Sequence, residues 1–133
     1  MKKQIISTDK SPKTVTTSVS QGVKVGDWIY MCGQLPLDLK TGDIIGENIE
    51  EQAEICLQYM KAVLEKVGAT MDDVIKVTVL LTDMANFKAF NSVYEKYFPS
   101  NGPARDCFSV GLVGNGKILV ELAAIACIGA GRS

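Results

Sequence analysis

The sequence predicts an α+β fold, a sheet of four to six strands with two helices packed on one of its faces. Short segments rich in Val, Ile and Tyr alternate with two segments of helical periodicity, in the order β-β-β-α-β-α-β-β. The last strand segment, Leu119 to Ile128, is apolar at nearly every position, so both of its faces require cover. Two helices on one face leave the other face of the sheet to solvent or to a second subunit. Apolarity on both sides of the last strand hints at oligomerisation. A central strand inside a thicker monomer satisfies the same pattern.

The elements follow in order. Gln4 to Ile6 reads as a short strand. Thr16 to Val25 is rich in β-branched residues and ends at Gly26-Asp27, a hairpin turn whose partner strand is Trp28 to Cys32. Gly33-Gln34-Leu35-Pro36 stops that strand, and Asp38 to Asp43 reads as an exposed loop. Asn48 to Val67 is the clearest helix. Ile49, Ala53, Cys56, Leu57, Met60, Val63, Leu64 and Val67 share one face, Asn48 is the candidate N-cap and Gly68 suits the C′ position. Val74 to Leu81 reads as a strand. Asp83 is placed to cap a second helix running to about Phe98, with Phe87, Phe90, Tyr94 and Phe98 on its buried side and Pro99 beyond its end. Asp106 to Val110 and Ile118 to Ile128 complete the set.

The chain has 133 residues, 47% hydrophobic and 22% charged, with a net charge of −1. That length suits one domain over residues 1–133. The charge balance gives no electrostatic footprint for nucleic acid or an anionic membrane. No apolar run is long enough to span a bilayer, and the first nine residues turn polar too early for a signal peptide, so the chain is read as cytoplasmic. Cys32, Cys56, Cys107 and Cys127 form no CxxC pair and are expected to be free thiols. The absence of histidine excludes a Ser-His-Asp triad, a Cys-His dyad and a histidine-ligated zinc, and no metal is expected.

Gly111 to Lys117 matches seven positions of a P-loop. Position eight is Ile118, however, and a strand follows rather than a helix, so the motif is rejected and Gly114-Asn115-Gly116 is read as a hairpin turn. Glu50-Glu51 and Asp72-Asp73 sit at element starts, where capping and the helix dipole explain acids. Lys61, Lys66, Lys88 and Lys96 fall on polar helix faces. Two residues stand apart. Glu121 lies inside the apolar final strand, where a carboxylate requires a cation, donors or water, and either a site or a structural ion pair explains it. Arg105 follows Pro103-Ala104 at the entrance to a strand. A planar guanidinium there suits bidentate capture of a carboxylate or phosphate, although the position alone also fits a surface arginine.

Pro103-Ala104-Arg105-Asp106-Cys107 and Val120-Glu121-Leu122-Ala123-Ala124-Ile125-Ala126 together resemble the C-terminal signature of the RidA/YjgF family, also called the endoribonuclease L-PSP family. Cys32-Gly33-Gln34-Leu35-Pro36 is similar to its Ser-Gly-Gln-Ile-Pro segment. Ser20-Gln21-Gly22-Val23, Lys40-Thr41-Gly42 and Phe90-Asn91-Ser92-Val93-Tyr94 agree in order and spacing. The resemblance implies a chorismate-mutase-like fold and a homotrimer with sites in the clefts between subunits. It implies a cofactor-free deaminase that hydrolyses enamines and imines such as 2-aminoacrylate/2-iminopropanoate and 2-iminobutanoate to 2-keto acids and ammonia. In that scheme Arg105 holds the substrate carboxylate. Backbone groups near Cys107 and Gly33 orient the imine, Asn91 and Cys32 shape the pocket, and Glu121 positions or deprotonates water.

The chain departs from the pattern at three points. Val19 stands where active deaminases of the family usually carry a tyrosine. Cys32 replaces a serine, and the spacing from Arg105 to Glu121 is one residue longer. A non-catalytic binder of small carboxylates or keto acids therefore stays open beside the deaminase. The ribonuclease activity ascribed to some relatives is disfavoured by the charge balance and the lack of histidine.

Overall fold

A computed structural model describes residues 2–132. Six strands form one sheet: β1 (Gln4–Ile6), β2 (Gly22–Val25), β3 (Trp28–Met31), β4 (Val74–Leu81), β5 (Ala104–Ser109) and β6 (Val120–Cys127). Their spatial order is β1-β2-β3-β6-β4-β5, antiparallel throughout except for the parallel pair β4–β5. Two helices, α1 (Ile49–Lys66) and α2 (Phe87–Tyr97), complete the chain in the expected order.

The core lies between the helices and one face of the sheet. Ala53, Leu57, Met60, Val63 and Leu64 of α1 are fully buried, as are Val77, Val79 and Leu81 of β4 and Val120 and Leu122 of β6. Each fully buried side chain of this size is worth about 1.5–3 kcal/mol against its exposed state. Asn48 caps α1 by accepting from the Glu51 backbone N–H at 2.9 Å, while the Glu51 side chain accepts from Glu47 N–H. At the other end Gly68 takes φ +81°, and Ala69 N–H reaches back to the Leu64 carbonyl, the left-handed cap anticipated from the sequence.

Boundaries differ in four places, each for a local reason. The strand expected over Thr16–Val25 starts only at Gly22, because the Thr16 hydroxyl accepts from Ser18 N–H and Val19 N–H bonds the Thr16 carbonyl in a turn. Asp83 caps a 3-10 turn (Met84–Asn86) through Ala85 N–H, and α2 starts only after it. β5 begins at Ala104, so Arg105 lies inside the strand rather than at its entrance, with Pro103 just outside as a residue that cannot donate to the ladder. The last strand starts at Val120, because the buried Gln52 side chain claims the Lys117 carbonyl and the Leu119 N–H.

Gly114-Asn115-Gly116 forms a tight turn with all three residues at positive φ, but it does not join a hairpin. β4 lies between β5 and β6, so the segment is part of a crossover. β6 keeps an unbroken register with β4 from Leu81↔Val120 to Lys76↔Ile125.

The far face of the sheet carries Trp28 and Tyr30, 44% and 53% exposed, with half-buried Ala123, Ile125, Cys127 and Leu80 and the exposed Phe108. β6 is thus a central strand, but of a two-layer structure, and on its second face these apolar side chains stand beside Lys76, Thr78, Asp106 and Glu121. No helix among the described residues is long and apolar enough to cross a membrane. All four cysteines are free.

Candidate active site

Arg105 sits on β5, the outer strand of the sheet. Its register partner Val77 points into the core, so the Arg105 side chain lies on the helix-covered face. There the guanidinium carbon stands 4.8 Å from the ring centre of Tyr94, 5.5 Å from Phe87 and 6.0 Å from Phe90. Helical spacing on α2 brings these three rings to one face, and each attracts a cation through its electron-rich centre. One guanidinium corner, Nη1, donates to Asn91 Oδ1 at 2.7 Å. Asn91 is one turn before Tyr94 on the same helix. The two ion pairs among the described residues, Lys61–Glu65 and Lys76–Asp106, do not include Arg105. The protein therefore holds a half-buried guanidinium by rings and an amide, with no carboxylate partner among those residues.

Cys107 follows two residues along β5 on the same face, and burial raises its thiol pKa while Arg105 opposes that rise. A thiol held protonated is a poor nucleophile. Because β5 ends the sheet, one side of its backbone has no neighbouring strand, and its amide groups there are open to a ligand.

Glu121 is elsewhere. Its neighbours Val120 and Leu122 point into the core, so Glu121 projects from the uncovered face, in a row with Leu80 of β4 and Phe108 of β5. Arg105 and Glu121 are thus two strands apart and on opposite faces of the sheet. The carboxyl lies over Gly33: a Cβ added there would overlap Oε2 and come within 2.6 Å of Cδ and 2.8 Å of Cγ. Burial raises the Glu121 pKa above the usual carboxylate range. Neither ion pair among the described residues involves it, so of the cation, donors or water that its place in an apolar strand requires, those residues supply no cation. Cys32 is adjacent. Its thiol touches the Gly33 carbonyl at 3.5 Å, and its pKa is raised by burial and then by Glu121.

The residues singled out from the sequence therefore fall in two groups on opposite faces of the sheet. Arg105, Asn91 and Cys107 group on the helix side, and Glu121, Gly33 and Cys32 on the open side. Val19 is exposed and lines a depression of about 790 Å³ between the 13–21 loop, β1 and Lys66. That depression contains neither group. Sequence reasoning missed the ring cage, because Phe87, Phe90 and Tyr94 at helical spacing read as core alone. It also missed the scaffold glutamines. Gln21 satisfies Thr8, Ser11 and Pro12 backbone groups, and Gln34 joins the Ser11 hydroxyl to the Cys32 carbonyl.

This pairing of an α+β sheet with an edge-strand arginine is accompanied by a match to the endoribonuclease L-PSP family over residues 8–128. The chain belongs to that family, the RidA/YjgF proteins. It is 45% identical to a RutC family protein of Saccharolobus solfataricus over 93% of this chain and 97% of that one. It is 35% identical to the human 2-iminobutanoate/2-iminopropanoate deaminase over 96% of this chain and 91% of that one. Among solved structures, E. coli TdcF with bound serine matches with a TM-score of 0.85 and 31% identity, covering 93% of this chain and 98% of that one.

Proposed function

We propose that the protein hydrolyses reactive 2-imino acids and their enamine tautomers to 2-keto acids and ammonia, in clefts between copies of this chain that assemble as a homotrimer. The observation that carries the reading is Arg105: a guanidinium caged by three rings and steadied by Asn91, with no carboxylate partner among the described residues. A planar carboxylate engages such a guanidinium with two parallel hydrogen bonds. The human relative's name and the serine bound to TdcF support a small amino- or imino-acid ligand.

The opposite placement of Arg105 and Glu121 supports a shared site. One copy offers the Arg105 half-site and a second offers Glu121 with Gly33 from its open face. The exposed Trp28, Tyr30 and Phe108 on that face favour a protein partner, because apolar patches of this kind seek cover. No cofactor is needed. A protonated imine is already electrophilic, so placement and one base suffice. Glu121 takes a proton from water as the oxygen adds to the imine carbon. Glu121 returns that proton to the nitrogen of the resulting carbinolamine, the C–N bond breaks as the C=O forms, and the hydroxyl proton leaves with the ammonia as ammonium. An enamine first takes a proton at its terminal carbon to become the imine.

The test supplies 2-iminobutanoate from a threonine dehydratase and follows its disappearance with wild type and Arg105→Ala. A wild-type rate well above that of the variant is expected. Equal rates overturn the catalytic reading. Equal rates with calorimetric binding of 2-ketobutyrate by wild type alone identify a carboxylate binder instead.

A further inference from the structure

We infer that Tyr94 is a positioning residue, whose hydroxyl accepts a hydrogen bond from Arg105 when the guanidinium grips a carboxylate. This rests on the carboxylate site proposed above and extends it to a hydroxyl that the reaction scheme does not employ. Two independent observations lead to it. The Tyr94 hydroxyl is the only buried side-chain nitrogen or oxygen among the described residues without a hydrogen-bond partner. Buried hydroxyls are almost always paired, and an exception in a native fold calls for a cause. The second observation is location. The ring that bears this hydroxyl is the cage ring closest to Arg105, with 4.8 Å between guanidinium carbon and ring centre.

Phe90 packs 5.6 Å and Phe98 4.7 Å from the Tyr94 ring, both centre to centre, and Tyr94 is buried. Arg105 occupies a half-buried position on the edge strand. Its Nη1 is already committed to Asn91, one turn earlier on the same helix. The other N–H groups are the ones a carboxylate would engage. Two of them face the ligand in a bidentate grip, and the remainder point back toward α2. The hydroxyl lies only a ring radius and one bond from the ring centre, so a short slide of the guanidinium along the ring face brings such an N–H onto the oxygen. Asn91 and Tyr94 then hold the guanidinium from behind while the carboxylate holds it in front. The free protein carries the unpaired hydroxyl, and the liganded protein relieves it.

This arrangement predicts opposite effects on stability and on binding when the hydroxyl is removed. Tyr94→Phe keeps the ring and its packing and deletes only an unpaired oxygen. Its melting temperature without ligand should equal or exceed that of wild type. Its Kd for 2-ketobutyrate by calorimetry, and its KM in the dehydratase-coupled assay, should rise about tenfold, the worth of one hydrogen bond to a charged group, with kcat nearly unchanged. A purely structural tyrosine would behave otherwise. An unchanged Kd and KM overturns the inference, as does a rise in KM accompanied by a fall in melting temperature. Failure of wild type itself to bind 2-ketobutyrate or to consume 2-iminobutanoate removes the carboxylate site and this inference with it. Wild-type binding that Tyr94→Phe retains in full removes this inference alone.

Discussion

Gly33→Ala isolates the placement of Glu121 from the stability of the fold. Gly33 has no positive φ, so alanine is allowed by its backbone. What forbids it is the Glu121 carboxyl, with Cδ 2.6 Å and Cγ 2.8 Å from the new methyl and Oε2 overlapping it. Carbon atoms rest about 3.5 Å apart, so the carboxyl must retreat by roughly 1 Å. A misplacement of about 1 Å at a reacting group costs on the order of 100-fold in rate. The stability terms nearly cancel. Replacing glycine gains about 0.4–1 kcal/mol through the unfolded chain, and forcing Glu121 off its rotamer costs about 0.5–1.5 kcal/mol. The expected result in the coupled 2-iminobutanoate assay is a loss of about 100-fold in kcat/KM with a melting temperature within about 5 °C of wild type. Glu121→Gln should be comparably inactive, and the double variant no worse than Glu121→Gln alone, because the two changes damage one group. Full activity in Gly33→Ala, or additive losses in the double variant, would refute the placement.

Two further outcomes follow from titrating groups. Glu121 has its pKa raised by burial, so kcat/KM should climb with pH through a midpoint above the ordinary carboxylate range and then level off. The linked stability runs the other way: it is fully present below the unfolded pKa and lost as pH rises through the folded one, so Glu121→Gln should melt higher than wild type at pH 7 and equal to it in acid. Asp73 is the opposite case. Burial alone would raise its pKa, but N–H groups of Gly131, Thr70 and Gly129 outweigh that and lower it. Its stabilisation is therefore present above the unfolded pKa and lost as pH falls through the folded one. Asp73→Ala should cost about 2–4 kcal/mol by denaturant unfolding and speed amide exchange over residues 129–131.

The sequence was most legible where one local rule decides. The stripe from Ile49 to Leu64, the Asn48 cap and Gly68 fixed α1 almost to the residue. Elements whose backbone is claimed by a distant side chain were not legible. The start of β6 depends on Gln52, 65 residues from the Lys117 carbonyl it bonds. The crossover at Gly114-Asn115-Gly116 depends on β4 inserting between β5 and β6, which no local spacing reports. Of the candidate residues, Glu121 stands out locally as a charge in an apolar strand, whereas Arg105 after Pro103-Ala104 also fits a surface arginine and takes its role only from the resemblance carried by motifs spread along the chain. That they face away from one another could not be read, since each alternation fixes a face only relative to its own strand. The ring cage had a signal, the i, i+3, i+7 spacing of Phe87, Phe90 and Tyr94, but the same spacing describes an ordinary buried helix face.

That opposed placement also supplies the most direct test. Arg105→Ala and Glu121→Gln are each expected to be inactive, and each keeps the half-site the other lacks. Unfolding them together and refolding an equal mixture should return activity at about one quarter of the wild-type sites, the fraction of clefts in a mixed cyclic trimer that pair an intact Arg105 with an intact Glu121 from different copies. Recovery near that level, with neither variant active when refolded alone, is the predicted result. A mixture as inactive as its components, in mixed trimers verified by mass, would contradict a site shared between copies.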